Sequence, residues 1–107
     1  MSVKRSFLMT YSVTPNEEKH KPHADRARRK IGEMQTQGWS KIEDVETAFG
    51  GELTLRSSTT GEQRAEAEGQ VTEVIKKLMT EVDAFAECWV HFSILVDGLG
   101  AHISSRV

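Results

Sequence analysis

The chain has 107 residues, of which 37% are hydrophobic and 28% are charged, and its formal net charge is -2. This length and composition predict a single domain over residues 1–107 with one modest core, and they exclude a wholly disordered chain. No apolar run approaches the roughly 20 residues that span a bilayer, so we expect no membrane partner. The single cysteine, Cys88, excludes an internal disulfide and favours a cytoplasmic location.

Positive charge is concentrated at the start of the chain. Residues 1–30 hold eight Lys and Arg against three Asp and Glu, whereas residues 31–107 hold six against thirteen. A chain divided in this way can present a local positive field although its net charge is slightly negative.

The first half of the chain predicts a strand followed by a helix. Residues 6–13 alternate between two faces, and Phe7, Met9, Tyr11 and Val13 share the apolar one. Pro22 suits the first turn of a helix, and Gly38 suits its end. The apolar stripe of this helix is Ala24, Ala27, Ile31 and Met34.

A hairpin is predicted next. Val45, Thr47 and Phe49 alternate toward Gly50 and Gly51, a dipeptide that tolerates the positive φ angles of a tight turn. The return strand then carries Leu53 and Leu55.

A long second helix begins near residue 60. Thr60 and Gln63 match a capping box, and we interpret Gly69 as the mark of a close approach by a neighbouring element. The apolar stripe of this helix is Ala67, Val71, Val74, Ile75, Leu78 and Val82.

The last third of the chain predicts two strands. "CWVHFSILV", residues 88–96, places Cys88 and Phe92 on one face, and Trp89 and His91 on the other. Gly98 and Gly100 can turn the chain, and residues 99–107 alternate again. This tail needs a strand edge, and we expect a second copy of the chain to provide it.

Together these elements predict an α+β fold. The order strand, helix, strand, strand, helix, strand is that of a ferredoxin-like β-α-β-β-α-β sandwich. It has an antiparallel sheet, both helices on one face, and here a short C-terminal fifth strand. The fold hosts many unrelated functions and does not name one.

The layout resembles two small families linked to nucleic acids. The short loop after the first strand, "GW" at residues 38–39 and the strand-like tail are similar to the GhoS-like antitoxin endoribonucleases and to the CRISPR spacer-acquisition ferredoxin-like subunit. The resemblance implies a dimer. The CRISPR subunit carries an aspartate at the end of its first strand, where this chain has Ser12 and Thr14, so its metal-dependent nuclease design is not implied.

The basic first helix is the candidate nucleic-acid-binding element. Its candidate residues are Lys21, Arg26, Arg28, Arg29 and Lys30. One alternative is a solvated face with the ion pairs Asp25–Arg29 and Arg29–Glu33. The cations are expected near the positive end of the helix dipole, where they would need a counter-charge from phosphate, from the acidic remainder of a second subunit, or from an acidic protein partner.

No metal site or cofactor is expected. His20 and His23 have metal-like spacing, but they flank a loop and a proline, so surface histidines are the simpler interpretation. Cys88 and His91 lie on opposite faces of a strand. We identify no catalytic residues, and whether the protein is an enzyme stays open at this point.

A homodimer interface is predicted on the face of the sheet that the helices leave uncovered. The expected interface residues are Trp89, His91, Leu95, Leu99 and Ile103. The sequence therefore favours a small dimeric protein that binds nucleic acid, above all RNA, with endoribonuclease or antitoxin activity as an extension. The alternative is a non-enzymatic protein-binding regulator or inhibitor of the phage or mobile-element type.

Overall fold

The computed structural model of the chain describes residues 2–33, 39–42 and 48–107. Met34, Gly38, Val45 and Thr47, which carried part of the predicted pattern, lie outside the described residues. The described elements are β1 Val3–Pro15, a 3-10 turn Glu18–His20, α1 Lys21–Gly32, β2 Ser40–Lys41, β3 Ala48–Leu55, α2 Thr60–Glu81, β4 Cys88–Val96 and β5 Ile103–Arg106. None of these helices is long and apolar enough to cross a membrane.

The five strands form one antiparallel sheet in the order β2-β3-β1-β4-β5, which confirms the α+β class. β1 is the central strand. Its first part pairs with β3, from Val3 opposite Leu55 to Thr10 opposite Ala48. Its second part pairs with β4, from Phe7 opposite Val96 to Pro15 opposite Cys88.

One face of this sheet carries the core. The alternation predicted for β1 and β4 is confirmed, because the odd-numbered positions 7–13 of β1 and the even-numbered positions 88–96 of β4 are buried. Both helices contribute to the same core cluster. Their buried apolar residues are Ala24, Ala27 and Ile31 of α1 and Ala67, Val71, Ile75 and Met79 of α2.

Helix α2 begins one residue away from the predicted cap. The Thr59 hydroxyl, not that of Thr60, accepts a hydrogen bond from the Glu62 N–H at 3.2 Å. Threonine suits either position, so the sequence does not distinguish them. The interpretation of Gly69 is also wrong, because a Cβ added there would meet nothing within 4 Å.

Gly50 and Gly51 lie within β3 and do not form the predicted turn. They pair with Leu8 and Phe7 of β1. The glycines serve close packing instead. A Cβ on Gly51 would lie 3.1 Å from both Cα and Cδ1 of Trp39. Trp39 in turn packs edge-to-face on Phe7, with 4.9 Å between ring centroids.

The C-terminal strand pairs with β4 of its own chain, from Ile94 opposite Ile103 to His91 opposite Arg106. The expected pairing of this tail with a partner's edge is therefore corrected. Gly98 and Gly100 have φ angles of 77° and 85°, which allow the tight reversal that such pairing requires.

Arginine side chains hold this reversal. The Arg64 guanidinium donates through Nη1 to the carbonyl oxygens of Leu99 and Ala101, each at 2.6 Å. From the other side, Arg5 Nη1 donates to the carbonyl of Asp97 at 3.1 Å. These bonds satisfy carbonyls of the turn and keep β5 beside its own β4.

Candidate nucleic-acid interface

The five predicted binding residues follow α1 from its first residue to its last turn. Lys21, Arg26, Arg28 and Arg29 are exposed, and Lys30 is half-buried. On the opposite side of α1, Ala24, Ala27 and Ile31 are buried. Packing of that narrow stripe on the sheet turns the cations outward, as the helical periodicity predicts.

Most of these cations are engaged within the chain. Arg28 is the most firmly held, with Nη1 2.7 Å from Oδ1 of Asp25 and Nη2 donating to the Val13 carbonyl at 2.8 Å. Lys30 Nζ lies 3.4 Å from Oε2 of Glu81 on α2. Lys21 Nζ lies 3.4 Å from Oε1 of Glu18.

The predicted Asp25–Arg29 pair is replaced by the Asp25–Arg28 pair, which spans three residues instead of four. No ion pair joins Arg29 to Glu33 or to any other described residue. Arg29 is thus an exposed guanidinium whose charge is available to a ligand.

The prediction that the cations lie near the positive end of the helix dipole is wrong for Arg29 and Lys30. α1 ends at Gly32, so Arg29 and Lys30 occupy its last turn, near the negative end of the dipole. Their positions there help to stabilise the helix. The helix dipole therefore does not favour a phosphate ligand, and only the spatial arrangement of the cations can do so.

Three cations converge on one groove of about 530 Å³ at the end of α1. Arg28 and Arg29 come from the helix, and Lys41 comes from β2. Its other described lining residues are Tyr11, Ser12, Val13, Gly32 and Glu33. Glu33 is the only acid among them, so the described groove is positively charged.

Lys41 reaches this groove because of its register in the sheet. It pairs with Phe49, whose side chain is in the core, so Lys41 points to the helix side. A Cβ on Gly32 would lie 4.0 Å from Lys41 Nζ and 3.8 Å from the Tyr11 hydroxyl. Lys41 was not among the predicted binding residues, because a single lysine in a weakly patterned stretch of sequence does not indicate a site.

A larger groove, of about 910 Å³, follows α2 and has the opposite charge. Its described lining includes Glu66, Glu73 and Glu81 but only one cation, Lys77. The Ser57 N–H donates to the Glu66 carboxylate at 3.0 Å, and this bond is the main cause that lowers the Glu66 pKa. The acidic groove does not suit a phosphate.

His20 ends the 3-10 turn and His23 lies in α1, so the predicted loop position of these histidines is wrong, and the two side chains contact each other. The rings of His20 and His23 are edge-to-face, with centroids 5.1 Å apart, and Nδ1 of each is buried without a hydrogen-bond partner. Within residues 2–33, 39–42 and 48–107, no three His, Cys, Asp or Glu side chains converge as metal ligands. Cys88 is buried, and desolvation raises the pKa of its thiol, so it is a poor nucleophile.

The predicted dimer residues separate into two groups. Leu99 and Ile103 are buried in the chain's own core and are not part of the surface. Trp89, His91 and Leu95 are exposed on the sheet face that the helices leave uncovered, which we call the open face. Leu8, opposite Leu95, lies there too.

Comparisons with known proteins add no family assignment. No protein-family model matches the chain, and searches of curated proteins and of solved structures find no significant match.

Proposed function

We propose that this protein binds nucleic acid, and RNA in particular, through α1 and the basic groove at its end. The observation that carries the proposal is the convergence of Arg29 and Lys41 on one groove with a single described acid, next to Arg28, which is already bonded to Asp25 and to the Val13 carbonyl. Guanidinium and ammonium groups bind phosphate through charge-assisted hydrogen bonds. Release of counterions from the nucleic acid makes such binding favourable at low salt.

RNA is proposed over DNA because the layout resembles that of GhoS-like antitoxin endoribonucleases. The same resemblance supports a ferredoxin-like arrangement of β2, β3, β1 and β4, with β5 added beside β4. Endoribonuclease activity in the cytoplasm is an extension of this proposal, to which no catalytic residue is assigned.

The binding test removes charge from the groove without disturbing the core. In Arg29→Gln/Lys41→Gln, both replaced side chains are exposed. The matched control is Lys76→Gln/Lys77→Gln, which removes the same charge from α2. Affinity for a fluorescein-labelled single-stranded oligouridine is measured by anisotropy over a range of salt concentrations.

The groove variant should weaken binding and reduce the slope of log K against log salt by about 1.4, or roughly 0.7 for each lost phosphate contact. The control should keep the slope of the unmodified protein. Equal losses in both variants, or no binding by the unmodified protein at low salt, would contradict the proposal.

Ribonuclease activity is tested with the same pair of variants, purified in parallel. Cleavage of an end-labelled RNA should fall with affinity in the groove variant and persist in the control. Equal cleavage by both preparations would indicate a contaminating nuclease.

The alternative function, a protein-binding regulator, stays a prediction. It differs from the proposed function in that an acidic protein, and not RNA, would bind the basic groove. The homodimer also stays a prediction. Its interface would have to use Trp89, His91 and Leu95 without Leu99 and Ile103. A stoichiometric protein partner that survives nuclease treatment and competes with oligouridine for the groove would favour the regulator.

A further inference from the structure

The open face has an ordered succession of side chains along β1, β4 and β5. The first pair across β1 and β4 is Leu8 with Leu95, and the second is Thr10 with Ser93, which also faces Ser104 of β5. The hydroxyl oxygens of Ser93 and Ser104 are 2.8 Å apart. Thr10, Ser93 and Ser104 therefore form a hydroxyl row across three strands.

Beyond the hydroxyl row, the open face becomes aromatic and cationic. Ser12 pairs with His91, which pairs with Arg106 of β5. The Arg106 guanidinium carbon lies 4.1 Å from the centre of the Trp89 ring. A guanidinium at this distance is in cation–π contact with the ring, and the Arg106 side chain is exposed.

These side chains line a shallow cleft of about 470 Å³ on the open face. Its lining includes Thr10, Ser12, His91, Ser93 and Ser104. No acid occurs in the described paired positions from Leu8–Leu95 to Ser12–His91–Arg106. The cleft thus combines hydroxyl groups and an imidazole, and the Arg106–Trp89 pair lies beside it, because Arg106 pairs with His91.

Two occupants could cover this face: a second copy of the chain or a single strand of nucleic acid. A second copy needs a contiguous apolar centre. Here the apolar groups are separated, because Trp89 and Leu95 are six residues apart on one strand, which is about 20 Å. Between them a second copy would bury hydroxyl groups that need hydrogen-bond partners.

A single strand of RNA fits the same features better. Its bases can stack on a guanidinium or an indole, and its sugar hydroxyls and phosphates supply partners for serine, threonine and histidine. The positive charge of Arg106 is complementary to the phosphates.

We propose that the open face is a binding site for single-stranded RNA, in which one base stacks on the Arg106–Trp89 pair and the hydroxyl row contacts the adjoining sugar and phosphate. The inference deepens the proposed function and rests on it. The strand contacts two surfaces: the basic groove supplies phosphate contacts, and the open face supplies stacking.

The test replaces the stacking ring and leaves every charge in place. Trp89→Leu keeps an apolar side chain at this exposed position, and the matched control is Phe85→Leu. Phe85 is also exposed, 46% compared with 41% for Trp89, and it also has a cation near its ring, Lys76 Nζ at 5.8 Å. The probe is a single-stranded oligouridine of about 12 nucleotides, within the range of known site sizes.

Trp89→Leu should weaken binding roughly 5- to 140-fold, the range that corresponds to losing one stacked base. Its salt slope should equal that of the unmodified protein, because no phosphate contact is lost. Phe85→Leu should bind like the unmodified protein. Near-ultraviolet circular dichroism verifies that both variants are folded.

Fluorescence provides a local readout of the same contact. The chain has two tryptophans, and Trp39 is only 3% exposed, so a base that stacks at the open face should quench Trp89 emission. Quenching should also occur in Arg29→Gln/Lys41→Gln once enough oligouridine is added at low salt.

The outcomes separate this inference from the proposed function. If the groove variant weakens binding and Trp89→Leu does not, the groove binds RNA and the inference is wrong. If the unmodified protein does not bind oligouridine, both are wrong. A dimer in light scattering that Leu95→Ser dissociates, with RNA affinity unchanged by Trp89→Leu, would assign the open face to a second copy.

Discussion

Leu99 offers a direct test of whether the C-terminal segment belongs to its own chain's core. The side chain is 2% exposed and lies in the turn between two glycines of positive φ. Replacing a buried leucine by alanine removes apolar burial and leaves a cavity, which costs about 2–5 kcal/mol. The total free energy of unfolding of a domain of this size is about 5–15 kcal/mol, so Leu99→Ala should remove a large part of it.

Urea unfolding measures this loss. With an m-value of about 2 kcal/mol/M, the middle of the usual range, the midpoint should fall by about 1–2.5 M. Leu95→Ala is the matched control, since Leu95 is 50% exposed on the open face and its truncation should change stability by no more than about 0.5 kcal/mol. The measurement is made at low and at high protein concentration.

The destabilisation by Leu99→Ala should be the same at both protein concentrations, because the contacts of Leu99 are within one chain. If the unfolding midpoint rose with protein concentration for the unmodified protein but not for Leu99→Ala, Leu99 would have to contact a partner chain. Equal destabilisation by Leu99→Ala and Leu95→Ala would also refute the assignment of Leu99 to the core.

Three further changes test the local accounts of the fold. Gly69→Ala should stabilise α2 by about 0.8–1.0 kcal/mol and raise the melting temperature by about 3–6 °C in calorimetry, since its Cβ meets no neighbour. Gly51→Ala should instead destabilise by about 1–3 kcal/mol in urea unfolding, because its Cβ would press on Trp39; stabilisation would contradict this packing. Glu66→Gln should destabilise near neutral pH. The folded Glu66 pKa lies below its ordinary value of 4.5, so its contribution is present above that pH and is lost as pH falls through the folded pKa. A destabilisation that stays constant down to acid pH would argue against the Ser57 contact.

The sequence by itself determined the class of the fold and the faces of its strands. Every second residue of β1 from Phe7 to Val13 and of β4 from Cys88 to Val96 is apolar and buried, and an antiparallel strand with one buried face places such residues together on that face. The stripe of α1 was predictable for the same reason, because helical spacing alone puts Ala24, Ala27 and Ile31 on one side. The stripe of α2 was predictable in part, since the buried Met79 was not in it and Leu78 is only partly buried. These apolar patterns repeat along each strand or helix, so several residues indicate the same buried face.

Tertiary structure alone decided the features that depend on one residue or on a distant contact. A glycine pair is compatible with a turn and with close packing, and only the position of Trp39 shows that Gly51 serves packing. The tail can pair with either chain, and its own β4 takes it because Gly98 and Gly100 reverse the chain and Arg64 holds the turn.

The candidate site depends on the same kind of information. Arg28 and Arg29 could be identified from the basic helix, but Lys41 joins them only through the register of β2 on β3. The stack of Arg106 on Trp89 likewise requires β5 to lie beside β4. Local periodicity encodes which side of an element is buried, whereas the meeting of residues far apart in sequence is set by strand pairing, which no single segment encodes.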